Sequence, residues 1–268
     1  MSILTKKSVL ITGGTGSIGT ALVEKAIVEK AKLIRIFSND ENGLYEMDTK
    51  YKNYKNIEYV IGDIQNEETT LEIVKNIDII FHAAALKHVD RCELNPLETI
   101  NVNIVGTKNI IKSAQKEKVK KMILISTDKA VNPIGVMGAT KLLGEKLISA
   151  ESSNNSKTIF ASVRFGNVFN TRGSILPRIE KQIANGGPIT LTNPEMKRFF
   201  MTKKESVNLI LSATTLAKGG ETFVLKMPLI SLKDLFDSMK DILASKYAYK
   251  PSQIKTKIIG TRPGEKLI

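Results

Sequence analysis

Short apolar, β-branched runs recur through the first half of the chain with no polar alternation inside them: Ser8 to Thr12, Leu33 to Phe37, Ile57 to Ile61, Asp78 to Phe81 and Lys121 to Ser126. A strand with one wet face carries a polar residue at every second position. These do not, which predicts parallel strands covered on both sides. The segments between them carry helical periodicity: Ser17 to Lys30, Asn66 to Lys75, and a long run opening at Asn95-Pro96, where asparagine suits the N-cap and proline the first helical position. Strands joined by crossover helices imply an α/β fold with a Rossmann-type, doubly wound parallel sheet and right-handed connections. After about residue 166 the rhythm breaks into turns such as Asn185-Gly186-Gly187-Pro188 and Thr192-Asn193-Pro194, alternating with isolated helices and strands. The expected organisation is a dinucleotide-binding domain over 1–165 and a smaller C-terminal substrate-binding lobe over 166–268. The two interleave, with 203–218 expected to pack back on the first. No internal repeat, low-complexity stretch or clear linker interrupts them.

The first strand runs into Thr12-Gly13-Gly14-Thr15-Gly16-Ser17-Ile18-Gly19. Dinucleotide binding needs glycine three times, for the tight turn, for close approach of backbone to a pyrophosphate and for packing of helix on strand, and the helix N-terminus then faces the phosphates. Gly13, Thr15, Gly16, Ser17, Ile18 and Gly19 are therefore expected at the cofactor. After the second strand come Ser38, Asn39 and Asp40; Asp40 suits ribose hydroxyls and equally the N-cap of the next helix. Asp63, followed by Ile64, fits the adenine amino group or another helix start. Ala83, Ala84 and Ala85 follow the fourth strand, where small residues admit the cofactor's backbone contacts.

Composition narrows the rest. The 268 residues, 42% hydrophobic, suffice for one substantial core with an added lobe. Neither a membrane-length apolar run nor a signal-peptide pattern is present, and Cys92 stands alone, so the expectation is a cytoplasmic protein without an intrachain disulfide framework. A formal charge of +13 invites a nucleic-acid reading. The lysines are scattered, however, and the densest group, Lys116 to Lys121, lies between a helix and a strand, which favours a solvated basic surface and no nucleic acid. His82 and His88 are too few for a metal site and read as local hydrogen-bonding residues. Arginine is scarce, and Arg164, Arg172, Arg198 and Arg262 fall in motif-like segments of the second half, which points to an anionic ligand.

Met137-Gly-Ala-Thr-Lys141, ten residues beyond Thr127-Asp128-Lys129, has the lysine spacing of the Tyr-x-x-x-Lys signature of short-chain dehydrogenases, with methionine where the tyrosine belongs. A thioether exchanges no proton, so either the chain is inactive or acid/base work has moved to the Thr-Asp-Lys triplet.

With these segments in hand the chain resembles a family. TGGTGSIG at Thr12, AAALKHV at Ala83, NPLETINVNIVGT at Asn95, STDKAVNPIGVMGATK at Ser126, VRFGNV at Val163, TRGSILP at Thr171, MKRFFMT at Met196 and IGTRPGEKL at Ile259 are similar to the extended short-chain dehydrogenase/reductases acting as UDP-N-acetylglucosamine 4,6-dehydratases, the CapD/FlaA1/CapE polysaccharide-biosynthesis type, some of which carry the methionine. The resemblance implies a nucleotide-sugar lyase with tightly bound, recycled NAD(P)+ and a UDP-N-acetylglucosamine or related UDP-sugar substrate. It also implies a homo-oligomer and no metal. The product is a UDP-4-keto-6-deoxy-hexosamine for surface polysaccharide, capsule or glycan biosynthesis, with or without inversion at C5. The implied roles are these: Thr127 at the C4 oxygen, Asp128 as the acid at C6, Lys129 as the C5 base with a lowered pKa, and Lys141 at the nicotinamide ribose. Asn103 orders a water, Lys87 serves both ligands, and His88, Asn167, Arg172, Arg198, Arg262 and Glu265 hold the UDP-sugar. Where the family often has Ser-Arg-Asp-Glu this chain has Asn39, with Gly43 nearby, so NAD is expected to be tolerated and NAD versus NADP stays open. Family members run further past GEKL, so the last part of the lobe is expected to be trimmed or reduced. Two alternatives remain: a UDP-sugar 4-epimerase, for which the Asp-Lys pair is superfluous, and a non-catalytic NAD(P)-binding regulatory protein.

Overall fold

The computed structural model describes residues 2–153 and 157–268. Five strands and their crossovers come first: β1 (Ser8–Thr12), α1 (Ser17–Val28), β2 (Leu33–Ser38), α2 (Glu41–Tyr51), β3 (Ile57–Ile61), α3 (Glu67–Val74), β4 (Ile79–His82), α4 (Val89–Leu94), α5 (Pro96–Ile100), a π-helical turn (Asn101–Gly106), α6 (Thr107–Lys116) and β5 (Lys121–Thr127). There follow α7 (Val136–Ser153), β6 (Ile159–Phe165), β7 (Asn167–Val168), α8 (Ile175–Ala184), β8 (Ile189–Leu191), β9 (Lys197–Met201), α9 (Lys203–Leu216), β10 (Thr222–Val224), β11 (Leu229–Ser231), α10 (Leu232–Leu243) and β12 (Thr256–Ile258).

The central sheet has the order β10-β6-β5-β4-β1-β2-β3, and each pairing is parallel. Chain order reverses between β1 and β4, the place where an open α/β sheet leaves a crevice beyond its strand ends. Apolar side chains of α1, α2 and α9, among them Leu22, Leu44 and Ile210, cover one face. Those of α3, α6 and α7, among them Ile73, Ile110 and Ile148, cover the other. Burial on both sides is why β1, β2, β4 and β5 read without alternation; β3, expected to be covered likewise, is the sheet's edge strand and leaves Glu58 and Ile61 exposed.

Polar chemistry shapes the local detail. Asp40 caps α2 by accepting from the Gly43 amide at 3.0 Å, and Asn66 caps α3 at the Thr69 amide, 2.8 Å. Asn95 occupies the N-cap position before Pro96, but its side chain does not cap: the amide turns back to the Arg91 carbonyl at 2.9 Å. The long helical run it opens is not uniformly α, since the π turn widens it around Asn103, a distortion the apolar pattern does not encode.

In the second half, α9 packs on α1, β5 and β6, and β10 extends the central sheet, so only part of that half forms a separate layer. Its own core gathers Ile179, Ile183, Leu191, Phe200 and Phe236 between α8, α10 and two small sheets, β11-β9-β7 and β12-β8. Among the described residues no helix is long and apolar enough to cross a membrane, and no cluster of three His, Cys, Asp or Glu could hold a metal.

His82 ties these layers together at the end of β4. Fully buried, it meets the Thr12 hydroxyl at Nδ1 (2.7 Å) and the Thr107 hydroxyl at Nε2 (3.1 Å). Thr107 donates to the Asn103 carbonyl at 2.7 Å and Thr12 accepts from the Ala84 amide, so the network assigns the proton to Nε2 and leaves Nδ1 an acceptor. Burial, with the Lys141 charge, pushes its pKa down to about 3 from 6.5. The unfolded chain therefore binds a proton that the folded one refuses, and stability is lost as pH falls from 6.5 towards 3. Relative to His82→Gln, the wild type should lose about 1.4 kcal/mol of unfolding free energy per pH unit inside that window. Parallel denaturation curves for both proteins across it would contradict the assignment.

Candidate functional site

A cleft of about 1380 Å³ runs along the carboxyl edge of the sheet, from the Gly13 loop and Ser38 at one end, past Thr127 to Lys129, to Arg178, Arg198 and Arg262 at the other. Sites for a single ligand commonly span about 300–1,000 Å³, so this one has room for two.

The Gly13 end of the cleft is built by contact too close for side chains. Gly13 has φ +65°, and a Cβ there would lie 2.7 Å from the Ala84 nitrogen; at Gly19 it would lie 2.4 Å from the Gly13 carbonyl oxygen. At Gly16, the N-cap of α1, the only neighbour is the Gly13 carbonyl at 3.2 Å, and no side chain caps the helix. The first amides of α1 thus face the cleft with their dipole unneutralised, a fit for a pyrophosphate. Thr15, Ser17 and Ile18 line the same loop. Ser38 bonds Thr15 hydroxyl to hydroxyl at 2.9 Å and accepts from the Asp40 amide, while Asn39 is exposed on the rim. Asp63 accepts from the backbone and side chain of Gln65, at 2.9 and 3.2 Å, and does not start a helix. Ile64 is buried beneath it, and Ala83, Ala84 and Ala85 form the opposite wall.

Chemistry gathers where β5 ends. Thr127 donates to Asp128 Oδ1 at 2.9 Å, Lys129 Nζ meets the same oxygen at 3.0 Å, and Lys129 also reaches Asn167 Oδ1 at 3.3 Å. The start of α7 is pressed against this turn through Gly138, where a Cβ would stand 2.3 Å from the Lys129 carbonyl oxygen. Met137, 4% exposed, and Lys141 line the cleft from the same helix. Lys141 Nζ donates to the Ile125 carbonyl at 2.8 Å, and burial lowers its pKa to about 8, against the opposing pull of Glu145. Asn103, expected to order a water, spends both amide hydrogens inside the protein, on the Leu86 carbonyl and the Thr140 hydroxyl, and accepts from the Leu86 amide. Its role here is to tie the loop after β4 to α7.

The arginines divide. Arg164, grouped above with the anion-binding set, is not free: it forms a two-pronged pair with Glu145, at 2.9 and 2.6 Å, and Glu145 is buried and also takes a hydrogen bond from Ser126. Arg172, expected on the sugar nucleotide, has its amide on Ser17 Oγ and its guanidinium 3.4 Å from Asp40. Lys87 donates to the Arg172 carbonyl at 2.9 Å, and His88 packs against Gly173. Arg198 and Arg262 do reach the far end. There Arg198 holds the Lys266 and Leu267 carbonyls, and Arg262 pairs with Asp90 at 3.6 Å while its amide is held by Glu265.

Sequence reasoning missed Arg178. Its Nε and the hydroxyl of Ser174, one helical turn away at the start of α8, are buried without hydrogen-bond partners. Burial and, less strongly, the charge of Arg262 depress its pKa, against the opposing pull of Glu265 and Asp90. The spacing Ser174-x-x-x-Arg178 at a helix start was the available signal.

A family model described as polysaccharide biosynthesis protein matches residues 9–268. The chain belongs to that family. It is 43% identical over 98% of its length to the capsular polysaccharide biosynthesis protein CapD of Staphylococcus aureus, of which it spans 45%. It is 42% identical over 97% of its length to a protein named UDP-glucose 4-epimerase in Rickettsia canadensis, spanning 76% of that protein. Among solved structures, Pen from Bacillus thuringiensis superposes with a TM-score of 0.95 at 44% identity, covering 98% of this chain and 82% of that one. DesIV, a dTDP-glucose 4,6-dehydratase from Streptomyces venezuelae solved with NAD and TYD bound, shares the fold with a TM-score of 0.85 at 18% identity, covering 97% and 86%.

Because Lys141 is an ammonium in the unfolded chain up to its ordinary 10.5 and is depressed to about 8 when folded, unfolding takes up a proton between those values. Stability should therefore rise with pH across that window. Urea denaturation of wild type and Lys141→Met checks this: the wild type should gain on the variant as pH climbs from 8 to 10.5, whereas a constant difference would contradict the burial of this amine.

Proposed function

We propose that this chain is a nicotinamide-dependent UDP-N-acetylglucosamine 4,6-dehydratase that makes a UDP-4-keto-6-deoxy-hexosamine for surface polysaccharide. The observation that carries this reading is the unbroken relay Thr127 Oγ1, Asp128 Oδ1, Lys129 Nζ, with successive separations of 2.9 and 3.0 Å, in a cleft also lined by a buried Met137 that exchanges no proton. Membership of a polysaccharide biosynthesis family and the likeness to CapD support it.

Elimination of water across C5 and C6 needs a group that handles the C4 hydroxyl proton, a base at C5 and an acid at C6. A bound NAD(P)+ would supply the hydride acceptor for C4 and the hydride returned to C6, held by the amides of α1 and by Lys141. The C4 hydroxyl, bonded to Thr127, passes its proton through that hydroxyl to Asp128. Asp128 is thereby converted to the neutral acid required at C6, and its ion pair with Lys129 is abolished. Left without its counterion, the Lys129 ammonium gives its proton to solvent; the ketone at C4 acidifies the C5 hydrogen, which the resulting amine removes while the C6 hydroxyl leaves as water with the Asp128 proton. Lys129 then returns its proton to C5. Asn167, at the start of β7, fixes the amine's direction. Arg178, Arg198 and Arg262 provide positive charge for the diphosphate, and among the described residues Arg178 Nε is buried without a hydrogen-bond partner.

The Rickettsia relatives named UDP-glucose 4-epimerase support a second reading, in which the 4-ketone is reduced from its other face. That reaction needs a proton acceptor at the C4 hydroxyl but neither a base at C5 nor an acid at C6. Mass spectrometry of product from UDP-N-acetylglucosamine separates the two: the dehydratase gives loss of one water, the epimerase gives no mass change.

Lys129→Ala and Asp128→Asn should each lower the rate of water loss by about two to four powers of ten, the usual worth of a general base or acid, with dinucleotide affinity nearly unchanged. Met137→Ala should cost about one power of ten, since the thioether only fills space. In Lys129→Ala, oxidation at C4 should continue and reduced nicotinamide should accumulate in the absorbance spectrum. Equal activity in wild type and both relay variants would refute the assignment, and so would a folded Met137→Ala as inactive as Lys129→Ala.

A further inference from the structure

The end of β2, where the adenosine ribose of a bound dinucleotide belongs, offers a carboxylate but no cation: Ser38, Asn39, Asp40. One oxygen of Asp40 is committed to the Gly43 amide at 3.0 Å. The other faces Nη1 of Arg172 at 3.4 Å, reaching over from the segment that follows β7. The main chain of Arg172 is fixed on both sides. Its amide donates to Ser17 Oγ at 2.9 Å, and its carbonyl accepts from Lys87 Nζ at 2.9 Å, so the segment bridges the Gly13 loop and the loop after β4 across the cofactor groove. Asn170 and Gly173, with φ of 52° and 73°, turn the chain in and out of that bridge, and a Cβ on Gly173 would collide with the His88 ring at 2.8 Å. The backbone is thus held while the side chain, 67% exposed, keeps its rotational freedom.

We propose that Arg172 reads the 2′ position of the dinucleotide's adenosine ribose, supplying from the second lobe the cation that Asn39 does not. The inference rests on the dinucleotide reading of the cleft. With a free 2′-hydroxyl, Asp40 accepts from the ribose diol and the guanidinium offsets its charge. With a 2′-phosphate, the same guanidinium leaves Asp40 and turns its paired N–H donors onto the phosphate oxygens, which screens the phosphate from the carboxylate. One side chain therefore admits both forms of the cofactor and sets their ratio.

Calorimetric titration of nucleotide-free full-length protein with NAD and with NADP tests this, using wild type, Arg172→Ala and Arg172→Glu, each checked for an unchanged melting curve. Arg172→Ala should weaken NADP by about tenfold or more, the loss of charge-assisted bonds to phosphate, while NAD changes by less than about threefold. Arg172→Glu should weaken NADP further and still spare NAD. Equal loss of both nucleotides in the variants would mean that the segment only closes the groove, and no loss of NADP would mean that Arg172 does not touch it; either result overturns the inference. Wild type that binds NAD but not NADP overturns the inference alone. Wild type that binds neither overturns the cofactor reading together with it.

Discussion

The cleft depends on two stretches of backbone meeting without side chains between them. Gly13, in the left-handed region, lies so close to Ala83 and Ala84 that any Cβ would collide, and this contact draws the loops after β1 and β4 together where the sheet's chain order reverses. His82 and Thr12 lie directly behind it, with their polar atoms paired inside the core. Because those loops are held, the helix that starts at Ser17 opens on the groove with no side-chain cap, and β5, next to β4, carries Thr127 to Lys129 into the same cleft. The stability of the edge and the chemistry of the edge are one arrangement.

A second tight contact, Gly138 against the Lys129 carbonyl, sets α7 against the triplet. It explains how methionine can stand where proton exchange is expected without leaving a void. Met137 is buried, Lys141 reaches the carbonyl of β5, and Thr127, Asp128 and Lys129 are joined by hydrogen bonds on the turn at the end of that strand. Glu145, one turn further along α7, neutralises Arg164 and bonds Ser126, so the charges behind the turn are matched before any substrate arrives.

Much of this was legible in the sequence, for identifiable reasons. The glycine loop and the buried parallel strands declare themselves because each is a local rule with a period or a spacing, and Asn66 was recognisable as a helix start for the same reason. What stayed hidden is set by partners distant in sequence. Nothing near Arg164 reveals that Glu145 will neutralise it, nothing near Asn103 shows that Leu86 and Thr140 will consume its amide, and Arg172 is held by Ser17, Lys87 and Asp40, all far from it in sequence. Arg178 was overlooked because its significance is a missing hydrogen bond, which exists only once the fold has buried it. The π turn is likewise invisible to an apolar pattern that reads the same for either helix type.

The central claim is that Lys129 removes and returns a proton at C5 while Asp128 releases the C6 hydroxyl. Turnover of UDP-N-acetylglucosamine in deuterium oxide, followed by NMR of the product, tests it most directly. The account requires a 4-keto-6-deoxy sugar that carries solvent deuterium at C5 and, at C6, the hydrogen that began on C4. A product that retains its C6 hydroxyl and has no deuterium at C5 would contradict it.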